Sequence, residues 1–182
     1  ILIEAIRKRL ISEVPVGTCL SGGLDSSTVV ALVNQLLKEK AKETRSVGKI
    51  QQTFSAVFPD GSNNEEKYVE EVIHSQNIDK KRIKSYKIYP QPEEFFKEVE
   101  DFIKTQEEPT ISSGPYAQYK VMQEANKHVT VLLDGQGADE MMAGYLPYYT
   151  VYFRQLIKEK KYKTLLKECF FSLDIIFSIV VK

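Results

Sequence analysis

Residues 14–27 read Val-Pro-Val-Gly-Thr-Cys-Leu-Ser-Gly-Gly-Leu-Asp-Ser-Ser, and this stretch decides the fold. Val16 to Leu20 is a short run with β-branched character, and Ser21-Gly22-Gly23 breaks it. Asp25, Ser26 and Ser27 then offer capping side chains to a helix whose inner stripe is Val29, Leu32, Val33 and Leu36. The order is strand, glycine turn, helix. Upstream, Ile3, Ile6 and Leu10 recur at helical spacing, so residues 1–13 read as an amphipathic helix that Pro15 ends.

Downstream the pattern repeats. Gln52 to Phe58 is a strand candidate closed by the turn Pro59-Asp60-Gly61. Tyr68, Val69, Val72 and Ile73 mark a helix over 65–76, Arg82 to Tyr89 a strand, and Phe95, Phe96, Val99 and Ile103 another helix. Residues 113–126 read as helix, and Val129 to Leu133 is the most strand-like run in the chain. It ends in Asp134-Gly135-Gln136-Gly137, after which helix continues in pieces to about Leu173. Strands alternating with helices imply an α/β fold: a doubly wound, mostly parallel sheet with helices on both faces. Ligands in such sheets sit beyond the carboxyl ends of the strands, near a switch in strand order. Both glycine turns, 21–23 and 134–137, follow strands directly and so belong to that rim.

The chain has 182 residues, 42% hydrophobic and 27% charged, with a formal net charge of zero. These are values of a globular protein of one domain's size. Zero net charge removes the field that would steer it onto nucleic acid or an acidic membrane. The basic runs Lys38–Lys49 and Lys80–Lys87 read as solvated faces. Two distant cysteines, Cys19 and Cys169, sit among apolar neighbours, which points to buried thiols in a reducing compartment and a cytoplasmic protein. The two histidines, His74 and His128, lack partners at metal-ligand spacing. The apolar tail 169–182 is interrupted by Asp174 and is too short to span a bilayer, so it reads as a buried helix or strand. Opening in mid-pattern and stopping on an apolar run, the chain reads as a piece of a longer protein.

Two consecutive glycines let the backbone turn tightly and aim amides at an anion. The hydroxyls of Ser21, Ser26 and Ser27 add donors, and the following helix presents its positive end. Such a nest suits phosphate. Asp25 would repel a phosphate alone, and its presence makes sense with Mg²⁺ between the two anions. This is not a Walker loop, because the only Gly-Lys pair, Gly48-Lys49, is followed by Ile50 and lacks the upstream glycine. The second motif, Leu133-Asp-Gly-Gln-Gly-Ala-Asp-Glu140 followed by Gly144-Tyr145, puts the Asp139 and Glu140 carboxylates at a helix start.

The first string resembles the loop of the PP-loop ATP pyrophosphatases, whose fold is adenine nucleotide alpha hydrolase-like. Together with Asp134-Gly-Gln-Gly-Ala-Asp-Glu-x3-Gly-Tyr, and with Gln106-Glu-Glu-Pro109 and Tyr116-Ala-Gln-Tyr119 between them, it is similar to the synthetase domain of glutamine-hydrolysing asparagine synthetases over about residues 1–150. The resemblance implies that Ser21, Gly22, Gly23, Leu24, Asp25, Ser26 and Ser27 hold the pyrophosphate part of ATP and Mg²⁺. It places Cys19, Leu20, Ala56, Asp134 and Gly135 against ATP, and Gln136 and Asp139 at the heart of the catalytic site beside Asp25, with Asp25 and Asp139 toward the metal. Many members carry Glu at the position of Gln136; an amide there can only hydrogen-bond.

On this reading residues 1–182 form a single, partial ATP-binding domain. A glutaminase domain that supplies ammonia would precede it, and a segment with an active-site lysine would follow. The implied partners are ATP, aspartate or a related carboxylate, and ammonia, with no nucleic acid and no membrane; a homodimer is compatible. Adenylation of a different carboxylate, in a sugar acid, a peptide or a β-lactam precursor, is the first alternative. An RNA-modifying PP-loop protein, or a nucleotide-binding module inactive through truncation, is the second. The RNA version expects a basic surface and extra cysteines.

Overall fold

The computed structural model describes residues 1–59, 64–110, 112 and 114–173. The chain divides into two compact units, residues 1–135 and 136–182. In the first, four parallel strands form one sheet: β1 (Val16–Cys19), β2 (Gln51–Ala56), β3 (Ile83–Ile88) and β4 (Val131–Leu133), in the order β3-β2-β1-β4. Helix α1 (Leu2–Arg9) precedes the sheet, and α2 (Leu24–Lys38) crosses from β1 to β2. Helix α3 (Glu66–His74) connects β2 to β3, and α4 (Pro92–Gln106) and α5 (Gly114–Ala125) connect β3 to β4.

Alternation along the strands sorts side chains to two faces. Val16, Val131 and Leu133 meet Ile6 and Leu10 of α1 and Val33 and Leu36 of α2. Leu20 and Ile83 join Val30 of α2 and Val69 of α3 on the same side. On the opposite face Cys19, Phe54, Ala56, Tyr86 and Leu132 pack with Val121 and Ala125 of α5. Helices therefore cover both faces of a parallel sheet, as the alternation of elements predicts. The aromatic rings of Phe54 and Tyr86 stack at 5.0 Å, and His128 stacks on Tyr86 at 4.2 Å.

The strand order contains one reversal. From β1 the chain moves outward to β2 and β3, then returns to place β4 on the other side of β1. The carboxyl ends of β1 and β4 thus flank the switch point, where a parallel sheet opens a crevice.

Several boundaries differ from the sequence reading. α1 stops at Arg9, and the strand expected over 129–133 is confined to Val131–Leu133, the residues that pair with Val16–Thr18. Asp60 and Gly61 of the expected turn, and most of the apolar tail, lie outside the described residues. Cys19 is buried, but Cys169 is only half-buried. Lys87, read as part of a solvated run, instead bonds Glu66 at 2.9 Å and pairs with Glu70, tying α3 to the edge strand β3.

The second unit contains α6 (Ala138–Met142), α7 (Leu146–Lys158) and α8 (Tyr162–Phe171). Among its described residues only Leu156 and Ser172 are buried. No helix among the described residues is long and apolar enough to cross a membrane.

Candidate functional site

The loop after β1 is built by its own serines. Ser26 Oγ accepts from the Ser21 amide at 3.1 Å and lies 2.9 Å from Ser21 Oγ, while the Gly23 amide donates to Ser21 Oγ at 3.3 Å. Ser26 is therefore turned back into the loop and does not cap α2, contrary to the capping expectation. Gly23 occupies the N-cap position with no side-chain cap. The Ser27 amide is satisfied by Gly23 O, which leaves the amides of Leu24, Asp25 and Ser26 as the free donors of the first turn. An uncapped helix start behind a serine-braced glycine turn is a positive, acceptor-seeking surface.

Gly22 makes the turn possible. Its φ is +83°, and a Cβ there would stand 2.6 Å from Tyr68 Cβ and 2.9 Å from the Val69 amide nitrogen of α3. Helix α3 thus backs the loop. Asp25 lies in the first turn of α2 and is half-buried. Leu20 is fully buried, so it can serve a ligand only through its backbone, whereas the Leu24 side chain is exposed. Ser27 Oγ is buried and has no hydrogen-bond partner among the described residues.

The second loop meets the first. A Cβ on Gly135 would lie 2.7 Å from the Ser26 amide nitrogen and 3.0 Å from Asp25 Cβ, so the backbone after β4 runs directly against the first turn of α2. Asp134 is fixed beside it: Oδ1 accepts from the Gly135 amide at 2.6 Å, and Oδ2 accepts from Gln118 Nε2 of α5 at 3.1 Å. At the end of β1, burial first and then the neighbouring Asp134 carboxylate push the Cys19 thiol up to about 12. Ala56 closes β2 on the same face as Cys19. Of the residues read from the sequence, the structure brings together Cys19, Leu20, Ser21 to Ser27, Asp134 and Gly135 at one rim, with Ala56 one strand away.

Gln136 and Asp139 belong to the second unit. Gln136 is exposed. Gly137, in the left-handed region at φ +90°, starts α6, which carries Asp139 and Glu140 in its first turn as expected. Asp139 O accepts from the Gly144 amide at 2.9 Å, and Tyr145 Oη donates to Glu140 Oε1 at 2.9 Å.

Among the described residues no group of three or more His, Cys, Asp or Glu side chains could hold a metal ion alone.

The family model for asparagine synthase matches residues 1–170. The chain belongs to the asparagine synthase family. Among relatives of this asparagine synthase domain, asparagine synthetase [glutamine-hydrolyzing] 1 of Bacillus subtilis is 33% identical over 144 residues, which is 79% of this chain and 20% of that protein. A Methanocaldococcus jannaschii protein, provisionally named asparagine synthetase [glutamine-hydrolyzing] 2, is 32% identical over 159 residues, 87% of this chain and 28% of that protein. Amidase chry2 of Gibberella zeae is 27% identical over 148 residues. The chain spans less than a third of the length of each of these relatives.

Sequence reasoning missed the supports of the site. Gln118 stands one turn before Val121 and two before Ala125, which are buried residues of α5. A polar residue opening an apolar stripe, at the end of a helix that leads into the strand before Asp134, is the signal that could have found it. Tyr68 and Val69 gave no such signal, because their role depends on backbone proximity to Gly22.

Proposed function

We propose that this chain is the ATP-binding part of a carbon–nitrogen ligase that adenylates the side-chain carboxylate of aspartate and passes it to ammonia, giving asparagine. The observation that carries the reading is the close approach of Gly135 to the uncapped first turn of α2 at the switch point. A triphosphate laid against Ser21 to Ser27 meets free amides, hydroxyls and the helix dipole, and the rim beside Asp134 and Gly135 takes the nucleoside.

In this reaction a carboxylate oxygen attacks the α-phosphorus, the bond to the bridging oxygen of pyrophosphate breaks, and pyrophosphate leaves with that electron pair. Ammonia then attacks the acyl carbon, AMP departs, and the nitrogen loses a proton. The loop after β1 stabilises the charge that grows on departing pyrophosphate. Asp25 is a carboxylate proposed to hold Mg²⁺, which would neutralise charge on the phosphates, and Asp139 is proposed separately as a metal-binding carboxylate. Gln136 contributes hydrogen bonding only. The relatives' names support glutamine as the source of ammonia, through a glutaminase domain outside these residues. A protein of this kind works in the cytoplasm.

Aspartate-dependent exchange of labelled pyrophosphate into ATP, measured on the full-length protein, tests the assignment. Exchange is expected, and Asp25→Asn is expected to lower it by at least about a hundredfold. Absence of exchange with aspartate would sink the acceptor assignment. A second reading, adenylation of another carboxylate, draws on the amidases of Gibberella zeae and Penicillium rubens among the relatives; AMP release across a panel of carboxylic acids separates the two.

A further inference from the structure

We propose that Gln118 is a positioning residue that holds the Asp134 carboxylate toward the nucleoside half of ATP, an inference that rests on the ATP-binding reading above. Two groups bond Asp134, one from its own loop and one from α5. The Gly135 amide takes Oδ1 and Gln118 Nε2 takes Oδ2. The first is local and survives rotation of distant parts. The second comes from α5, and it alone ties the carboxylate to the helix that covers the opposite face of the sheet.

The chemistry of the carboxylate then says what it can meet. An ionised Asp accepts and does not donate, and each oxygen keeps a lone pair after these bonds. The triphosphate is anionic and repels it. The donors on ATP are the ribose hydroxyls and the adenine 6-amino group, so the carboxylate serves the nucleoside and the loop after β1 serves the phosphates. Gln118 supplies no contact to the nucleotide; it removes the rotational freedom that Asp134 would otherwise lose on binding.

The test measures affinity for Mg·ATP and for inorganic pyrophosphate with the full-length protein and its Gln118→Met and Gln118→Glu variants. A hydrogen bond to a charged group at this site corresponds to about tenfold in affinity. Gln118→Met is expected to weaken Mg·ATP about tenfold and leave pyrophosphate affinity unchanged. Gln118→Glu, which sets a like charge against Asp134, is expected to weaken ATP more. In an Asp134→Asn background, Gln118→Met is expected to add little, because the partner it orients is already altered. Parallel losses for ATP and pyrophosphate would mean that Gln118 only supports the fold, and would overturn the proposal. So would unchanged ATP affinity in Gln118→Met. A wild-type protein that binds pyrophosphate but no ATP would instead sink the reading beneath it.

Discussion

At the scale of single residues, two positions carry consequences that can be measured directly. Gly22 combines a left-handed backbone with a Cβ-free approach to α3. Gly22→Ala is expected to destabilise the first unit by about 1–3 kcal/mol, read from denaturant unfolding. The obstructing atoms are Tyr68 Cβ and backbone, not a flexible chain end, so Tyr68→Ala is expected to give no rescue. Cys19 is the other position. Its thiol is raised by burial and by Asp134, so the unfolded chain loses that proton at lower pH than the folded one. Stability from this group is complete below the ordinary thiol range and is lost as pH climbs from about 9 toward about 12. The decline, at most about 1.4 kcal/mol per pH unit, is expected to be shallower in Cys19→Ala, and an identical slope would refute the assignment. Alkylation at pH 8 is likewise expected to label Cys169 well before Cys19.

At the scale of elements, the sheet depends on large side chains between β2 and its covering helix. Phe54 is buried, stacked on Tyr86 and packed against α5. Phe54→Ala is expected to cost about 3–5 kcal/mol, seen as a lower denaturant midpoint with a similar slope. These elements were legible in the sequence because burial writes a period into it. Val29, Leu32, Val33 and Leu36 named the inner face of α2, and the alternation of strand and helix named a parallel sheet. The loops were legible for a different reason: glycines and serines in a fixed string have few uses between a strand and a helix. The bonding inside the first loop was not legible. Ser26 has the chemistry of a cap, and only the folded turn shows its hydroxyl spent on Ser21. Contacts such as Gln118 with Asp134, or Lys87 with Glu66, join residues on separate elements and leave no periodic mark.

At the scale of the whole molecule, the two units differ in how much they bury. The first holds three apolar clusters. In the second, Met141 and Met142 are about 80% exposed and α8 has no buried residue. Hydrogen exchange on this chain is expected to be slow in β1 and β2 and fast through 138–171. Equal protection in both would contradict that contrast. Mg·ATP at a hundredfold excess over its dissociation constant is expected to stabilise the first unit by about 2.7 kcal/mol.

The pairing of β1 with β4 has a kinetic consequence. Val16 finds its partner at Val131, more than a hundred positions away, whereas Thr18 pairs with Thr53 and Gln51 with Ile83 across far shorter stretches. Closing this loop carries the largest entropy cost of the three pairings and waits until β4 has been synthesised. The crevice between the first turn of α2 and Gly135 therefore forms last. A nascent chain therefore gains this crevice only after β4 has been made and paired with β1, and a chain halted before Val131 lacks it.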